Sequence, residues 1–98
     1  MELIKSINNN QIEKLKESGL NVINWEVTSQ TADALTYFID MENLNIIITC
    51  NWESKDGAIH VYDNKDNPIT NHYFKGINSV EDLNKEVTSF ITNNINNF

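Results

Sequence analysis

The 98-residue sequence predicts an α+β domain, a five-stranded antiparallel meander sheet flanked by an N-terminal and a C-terminal helix in the order α-β-β-β-β-β-α. Three observations carry that expectation. Helix start and stop signals fall only near the two ends of the chain. Between them, from Asn21 to Lys75, hydrophobic residues recur with period two. Every break in that alternation is short, which makes sequence neighbours sheet neighbours. A chain of this size forms one domain over residues 1–98, burying roughly 60–65 % of its unfolded surface.

The first helix is predicted over 9–18. Asn8 suits the N-cap, with Gln11 three residues on, and Ile7 and Ile12 hold the two positions of a hydrophobic staple. Gly19 suits the left-handed position after the helix, and Leu20 can close onto Leu15. Ile23, Trp25 and Val27 then alternate with Asn24, Glu26 and Thr28. Leu35, Tyr37, Ile39 and Met41 alternate with Thr36, Phe38 and Asp40. After a turn near Glu42-Asn43, Ile46, Ile48, Cys50 and Trp52 share a face opposite Ile47, Thr49 and Asn51. Asp56-Gly57 is a hairpin signal leading to a strand with Ile59 and Val61 on one side. Asp63 to Pro68 reads as a turn, and Ile69–Lys75 as the fifth strand. Gly76 ends the sheet and Ser79 opens a second helix, with Glu81 and Asp82 favourable in its first turn. Val80, Leu83, Val87, Phe90, Ile91 and Ile95 form its apolar stripe, before an Asn-rich tail.

Charge narrows the function. Fourteen acidic residues face seven lysines and no arginine, a formal charge of −7 with a pI near 4.5. Phosphate recognition relies on Lys and on the bidentate fork of Arg, so direct nucleic-acid binding is not expected, nor is binding to anionic lipid. A basic protein surface is the partner that such a charge attracts. Asn- and Ile-rich composition without Arg is also what AT-rich codon usage produces. No apolar run approaches the ~20 residues of a membrane span, and Met1–Lys5 lacks the pattern of a signal peptide. A single cysteine, Cys50, fits a reducing compartment, so a cytoplasmic location is expected.

Motifs of specific chemistry fail on inspection. His60 and His72 fall on adjacent predicted strands, but a metal site needs more ligands at defined spacing. Asp63-Asn64-Lys65-Asp66-Asn67 begins like a calcium loop, yet Lys65 occupies the third position, Pro68 the sixth and Phe74 the twelfth. Cys50 sits in an apolar strand without a lysine nearby, the setting of a buried small hydrophobe rather than a nucleophile. Asp40/Glu42 and Glu81/Asp82 are accounted for by turn solvation and helix capping, and Gly19, Gly57 and Gly76 are isolated. No catalytic residue, metal or cofactor is expected, and the chain reads as a non-enzyme.

The uneven placement of the charge is more informative. Residues 17–54 contain Glu17, Glu26, Asp33, Asp40, Glu42 and Glu53 and no basic residue. Glu26 and Asp40 lie opposite Trp25 and Ile39, so they are expected to be exposed, on the side that carries Phe38, Ile47 and Thr49. An acidic field around an apolar centre is the pattern of a protein-binding patch, its ordinary alternative being a solvated sheet face. Its expected members are Glu26, Asp33, Asp40, Glu42 and Glu53, with Phe38 and Ile47 at the centre.

With that acidic set, the chain resembles in general layout the small inhibitors of phages and mobile elements in low-GC bacteria, such as anti-CRISPR proteins and phage inhibitors of DNA-repair enzymes. No signature motif is shared. The resemblance implies a DNA-mimicking inhibitor that places carboxylates where phosphates would sit on a basic, nucleic-acid-processing protein. Alternatives from other classes are an immunity or antitoxin protein neutralising a cognate toxin, and a small homodimeric structural subunit joined through Phe90, Ile91, Ile95 and Phe98.

Overall fold

The computed structural model describes residues 13, 16, 17, 22–94 and 98. Strands β1 (Val22–Gln30), β2 (Ala34–Met41), β3 (Leu44–Asn51), β4 (Asp56–Asp63) and β5 (Pro68–Lys75) precede helix α1 (Val80–Asn94). The strands lie side by side in chain order, each antiparallel to the next, so the predicted meander and its closing helix are present. The helix expected over 9–18 lies outside the described residues, apart from Glu13, Lys16 and Glu17, which are helical and exposed.

Strict alternation in β2 and β3 separates two sheet faces. Leu35, Tyr37, Ile39 and Met41 are buried on one side with Leu44, Ile46, Ile48 and Cys50, and Ile59, Val61 and Phe74 extend this inner face across β4 and β5. Helix α1 lays Val80, Leu83, Val87 and Ile91 into the same core. Ile46, Ile48, Ile59, Val61, Leu83 and Ile91 are wholly inaccessible. Burial of each such side chain is worth about 1.5–3 kcal/mol.

The helix is fixed at its start by local chemistry. Gly76 takes a left-handed φ of 77°, turning the chain out of β5. Ser79 Oγ then accepts the Asp82 N–H at 3.1 Å, while the Asp82 carboxylate accepts the Asn78 N–H at 3.2 Å. Ile91 is fully buried in the protein's own core, and Phe90 and Phe98 pack against it. The stripe considered for homodimerisation is therefore used within the chain; its fourth member, Ile95, lies outside the described residues.

Two local expectations are corrected. Ile23 does not share a face with Trp25 and Val27: the β1–β2 register slips between Val22 and Asn24, leaving Ile23 64 % exposed and Val22 in the core. A second slip follows between Val27 and Ser29. Such bulges insert one residue against none, which reverses the inside–outside phase. Nor does Asp56-Gly57 make the β3–β4 turn. The turn is Trp52–Lys55, built on Asn51, whose Oδ1 accepts the N–H groups of Glu53 and Ser54 at 3.0 and 3.1 Å. Lys55 supplies the left-handed residue, with φ 60°.

Gly57 instead lies within β4, opposite Cys50 and Phe74. A β-carbon there would collide with the Thr49 carbonyl oxygen and come 2.7 Å from the tip of the Phe74 ring. This glycine admits a close approach of an aromatic ring to the backbone, a packing role rather than a turn role. The Asp63–Asn67 segment is a turn, as expected. Asp63 Oδ1 accepts the N–H groups of Lys65 at 2.8 Å and Asn67 at 2.9 Å, and Asp66 has φ 65°.

Candidate partner-binding surface

The register assembles the outer face row by row. Glu26 stands opposite Phe38, Phe38 opposite Ile47, Ile47 opposite His60, and His60 opposite Asn71, one residue from each strand. The adjoining row runs Asn24, Asp40, Asn45 and Tyr62. Apolar Phe38 and Ile47 occupy the middle of this face, with polar side chains on both flanks.

A depression of about 270 Å³ opens over that centre, lined by Thr28, Phe38, Asp40, Asn45, Ile47, Tyr62 and Asp66. Its floor is apolar and aromatic, and its wall carries two carboxylates from different elements. Asp40 is half-buried here rather than exposed as expected, because it stands at the rim of the Phe38–Ile47 centre. Glu26 is exposed beside Phe38. Such a floor accepts an aliphatic stem, an aromatic ring faces a cation favourably, and the carboxylates attract its charge.

The remaining acidic residues are not gathered there. Asp33 lies in the β1–β2 turn, where its carbonyl accepts the Trp52 N–H at 2.7 Å, next to Glu53 in the β3–β4 turn. Glu42 sits in the β2–β3 turn at the opposite end of the sheet. Eight-residue β2 separates the two ends by roughly 23 Å at ~3.3 Å per residue. That exceeds the screening length of ~8 Å at physiological ionic strength. The acidic stretch of the sequence is thus two separate clusters in space. The cluster nearer the depression, with Asp40 and Glu42, gains Asp66 from the β4–β5 turn, a residue the sequence places only in a hairpin turn. Tyr62, Asn45 and Thr28 were also missed; period-two alternation from Ile46 and Val61 could have placed Asn45 and Tyr62 on this face.

The other reactive side chains are accounted for elsewhere. His60 and His72 lie on adjacent strands but opposite faces, because His60 pairs with Asn71 and His72 with Ile59. His60 Nδ1 lies 2.7 Å from Asn71 Oδ1. On the inner side, His72 Nε2 lies 2.8 Å from Glu86 Oε1, and its ring stacks on Phe90 with centroids 4.5 Å apart, tying β5 to α1. Among the described residues no group of three or more His, Cys, Asp or Glu is placed to hold a metal ion.

A larger depression of about 540 Å³ lies over Gly57 at the Asp33–Glu53 end, with Cys50 in its lining. Cys50 is 2 % exposed, and burial, with the Asp56 carboxylate adding to it, pushes its thiol up to about 11. The sulfur is therefore held protonated at neutral pH, the opposite of an activated nucleophile. Burial likewise pushes the Tyr37 hydroxyl well above its ordinary range. Hydrogen bonds from the Asn67 and Lys65 backbone amides hold the Asp63 carboxyl below its ordinary value. No described helix is long and apolar enough to cross a membrane. Comparisons with protein-family models, with curated proteins and with solved structures found no match to this chain.

Proposed function

We propose that this protein is a non-enzymatic binding protein whose outer sheet face holds a basic protein surface, in the manner of a small phage-type inhibitor of a nucleic-acid-processing protein. The observation that carries the reading is the Phe38–Ile47 depression with Asp40 and Asp66 in its wall and Glu26 beside it. A lysine or arginine of the partner enters this depression, its stem on Ile47 and Phe38 and its charge against the carboxylates. The net charge of −7 steers a basic partner toward the protein. Anchoring is local: Phe38, Ile47, Asp40 and Asp66 make the contact, with Glu42 in the turn at the same end, whereas Asp33 and Glu53 at the opposite end act at long range only.

Affinity capture from a bacterial host lysate, read by mass spectrometry, tests the reading. The wild-type protein is expected to enrich a basic nucleic-acid-binding protein, with recovery falling as salt rises. A doubly reversed variant, Glu26→Lys with Asp40→Lys, loses it, while Asp33→Lys at the far end of the sheet retains most of it. Equal recovery by wild type and the double variant overturns the proposal.

A further inference from the structure

At about 270 Å³, the depression over Phe38 and Ile47 has room for one side chain rather than an extended segment. Two aromatic residues line it from either side of β3, Phe38 of β2 and Tyr62 of β4. Strands two apart in a sheet stand roughly 10 Å from one another, an interval that takes a flat group. Oxygen acceptors surround the same space. Asp40 and Asn45 are paired across β2 and β3, and Asp66 joins them from the β4–β5 turn. Thr28 Oγ1 donates to the Thr36 carbonyl at 3.3 Å, which leaves its lone pairs free to accept. Among the described residues the Asp40 and Asp66 carboxylates hold no hydrogen bond or ion pair, so no described group of this chain neutralises them.

We propose that this depression selects arginine over lysine, a narrowing that rests on the reading of it as the site of a partner's basic side chain. An ammonium is a compact, strongly hydrated point charge with three donors. It satisfies one carboxylate well and leaves the second short of a donor. It must also shed water over Phe38 and Ile47, which return no hydrogen bond. A guanidinium carries five donors in one plane and is more weakly hydrated. One edge of its fork meets Asp40 in a bidentate pair, and the remaining donors serve Asp66 and the Asn45 and Thr28 oxygens. Its flat faces lie against the aromatic lining, which an ammonium cannot match in area.

Titration of the isotope-labelled protein with end-blocked single amino acids, followed through backbone amide shifts, tests the selection. The probes are arginine, lysine, citrulline and asymmetrically dimethylated arginine. Citrulline keeps the plane without the charge, and dimethylation keeps the charge but blocks one edge of the fork. Arginine is expected to shift the amides of Phe38, Asp40, Asn45 and Ile47, and to bind about tenfold or more tighter than each of the other three. Asp66 has φ 65°, a conformation that asparagine tolerates, so Asp66→Asn removes the charge and keeps the turn. Asp66→Asn and Asp40→Asn should each weaken arginine binding severalfold with an unchanged circular dichroism spectrum. Phe38→Leu should narrow the gap between arginine and lysine. Equal affinity for arginine and lysine overturns the selection and leaves a basic-residue site standing. Arginine binding indifferent to both carboxylate changes overturns it as well. Amides of the depression that respond to neither arginine nor lysine, up to tens of millimolar, overturn the selection and the basic-site reading together.

Discussion

Replacing Gly57 by alanine is the sharpest probe of how this sheet is packed. The added methyl meets the Thr49 carbonyl oxygen, a backbone atom that cannot rotate away, and the Phe74 ring tip at 2.7 Å. Either β3 and β4 separate locally or Phe74, 5 % exposed in the core, leaves its rotamer. Overpacking of this kind costs about 1–3 kcal/mol. A weakened ladder hydrogen bond adds about 0.5–1.5 kcal/mol. Restricting the unfolded chain returns about 0.4–1 kcal/mol. The net is a destabilisation of about 2 kcal/mol, which for a domain of this size lowers Tm by roughly 8–16 °C. Thermal and urea unfolding followed by the fluorescence of Trp25 and Trp52 measures it. Phe74→Leu shortens the ring, so the double variant Gly57→Ala/Phe74→Leu should lose less than the sum of the two single changes. An unchanged Tm for Gly57→Ala, or strict additivity in the pair, would refute the close-approach argument.

Three further outcomes are expected. Leu83→Ala empties a wholly buried position between α1 and the sheet and should cost about 2–5 kcal/mol in urea unfolding; a cost under 1 kcal/mol would mean that the helix does not seal the core. Asp63 has a folded-state pKa below its ordinary 3.8, so its contribution is complete well above that value and is lost as the pH falls through the folded value. Asp63→Asn should therefore flatten the decline of stability as the pH drops through and below 3.8, and an unchanged acid limb in pH-dependent unfolding would contradict this. Cys50, buried with its thiol at about 11, should react with a disulfide reagent at pH 8 at least tenfold more slowly than in urea; equal rates would place the sulfur at the surface.

Much of the sheet is readable from residue spacing, and its misreadings have local causes. In β2 and β3, alternation from Leu35 to Met41 and from Ile46 to Cys50 names the buried face correctly, because neither strand is bulged. In β1 the same rule fails at Ile23, since a one-residue slip inverts the faces and leaves no mark in hydropathy. Gly57 reads as punctuation in the sequence because glycine serves turns and close approaches alike, and the ring that demands it, Phe74, is distant in sequence. Phe38, Ile47, Glu26 and Asp40 were legible as one outer face. Asp66 joins Asp40 only through the folding of two hairpins. Conversely, Asp33 and Glu42, nine positions apart, end at opposite poses of the sheet because successive meander turns alternate ends.

The two slips in β1 bear on how far any assembly of this chain can grow. A sheet with two regular edges adds neighbours on both sides and has no natural stopping point, the geometry of a fibre. Here the hydrogen-bonding groups of β1 are thrown out of step near both ends of the strand, so that edge offers a poor template. The opposite edge, β5, carries one slip of its own, at Ile69, so neither edge offers an unbroken run over its full length. A strand added at either edge therefore meets a break in step within a few residues, and the irregular edges set a limit on how far the sheet can extend.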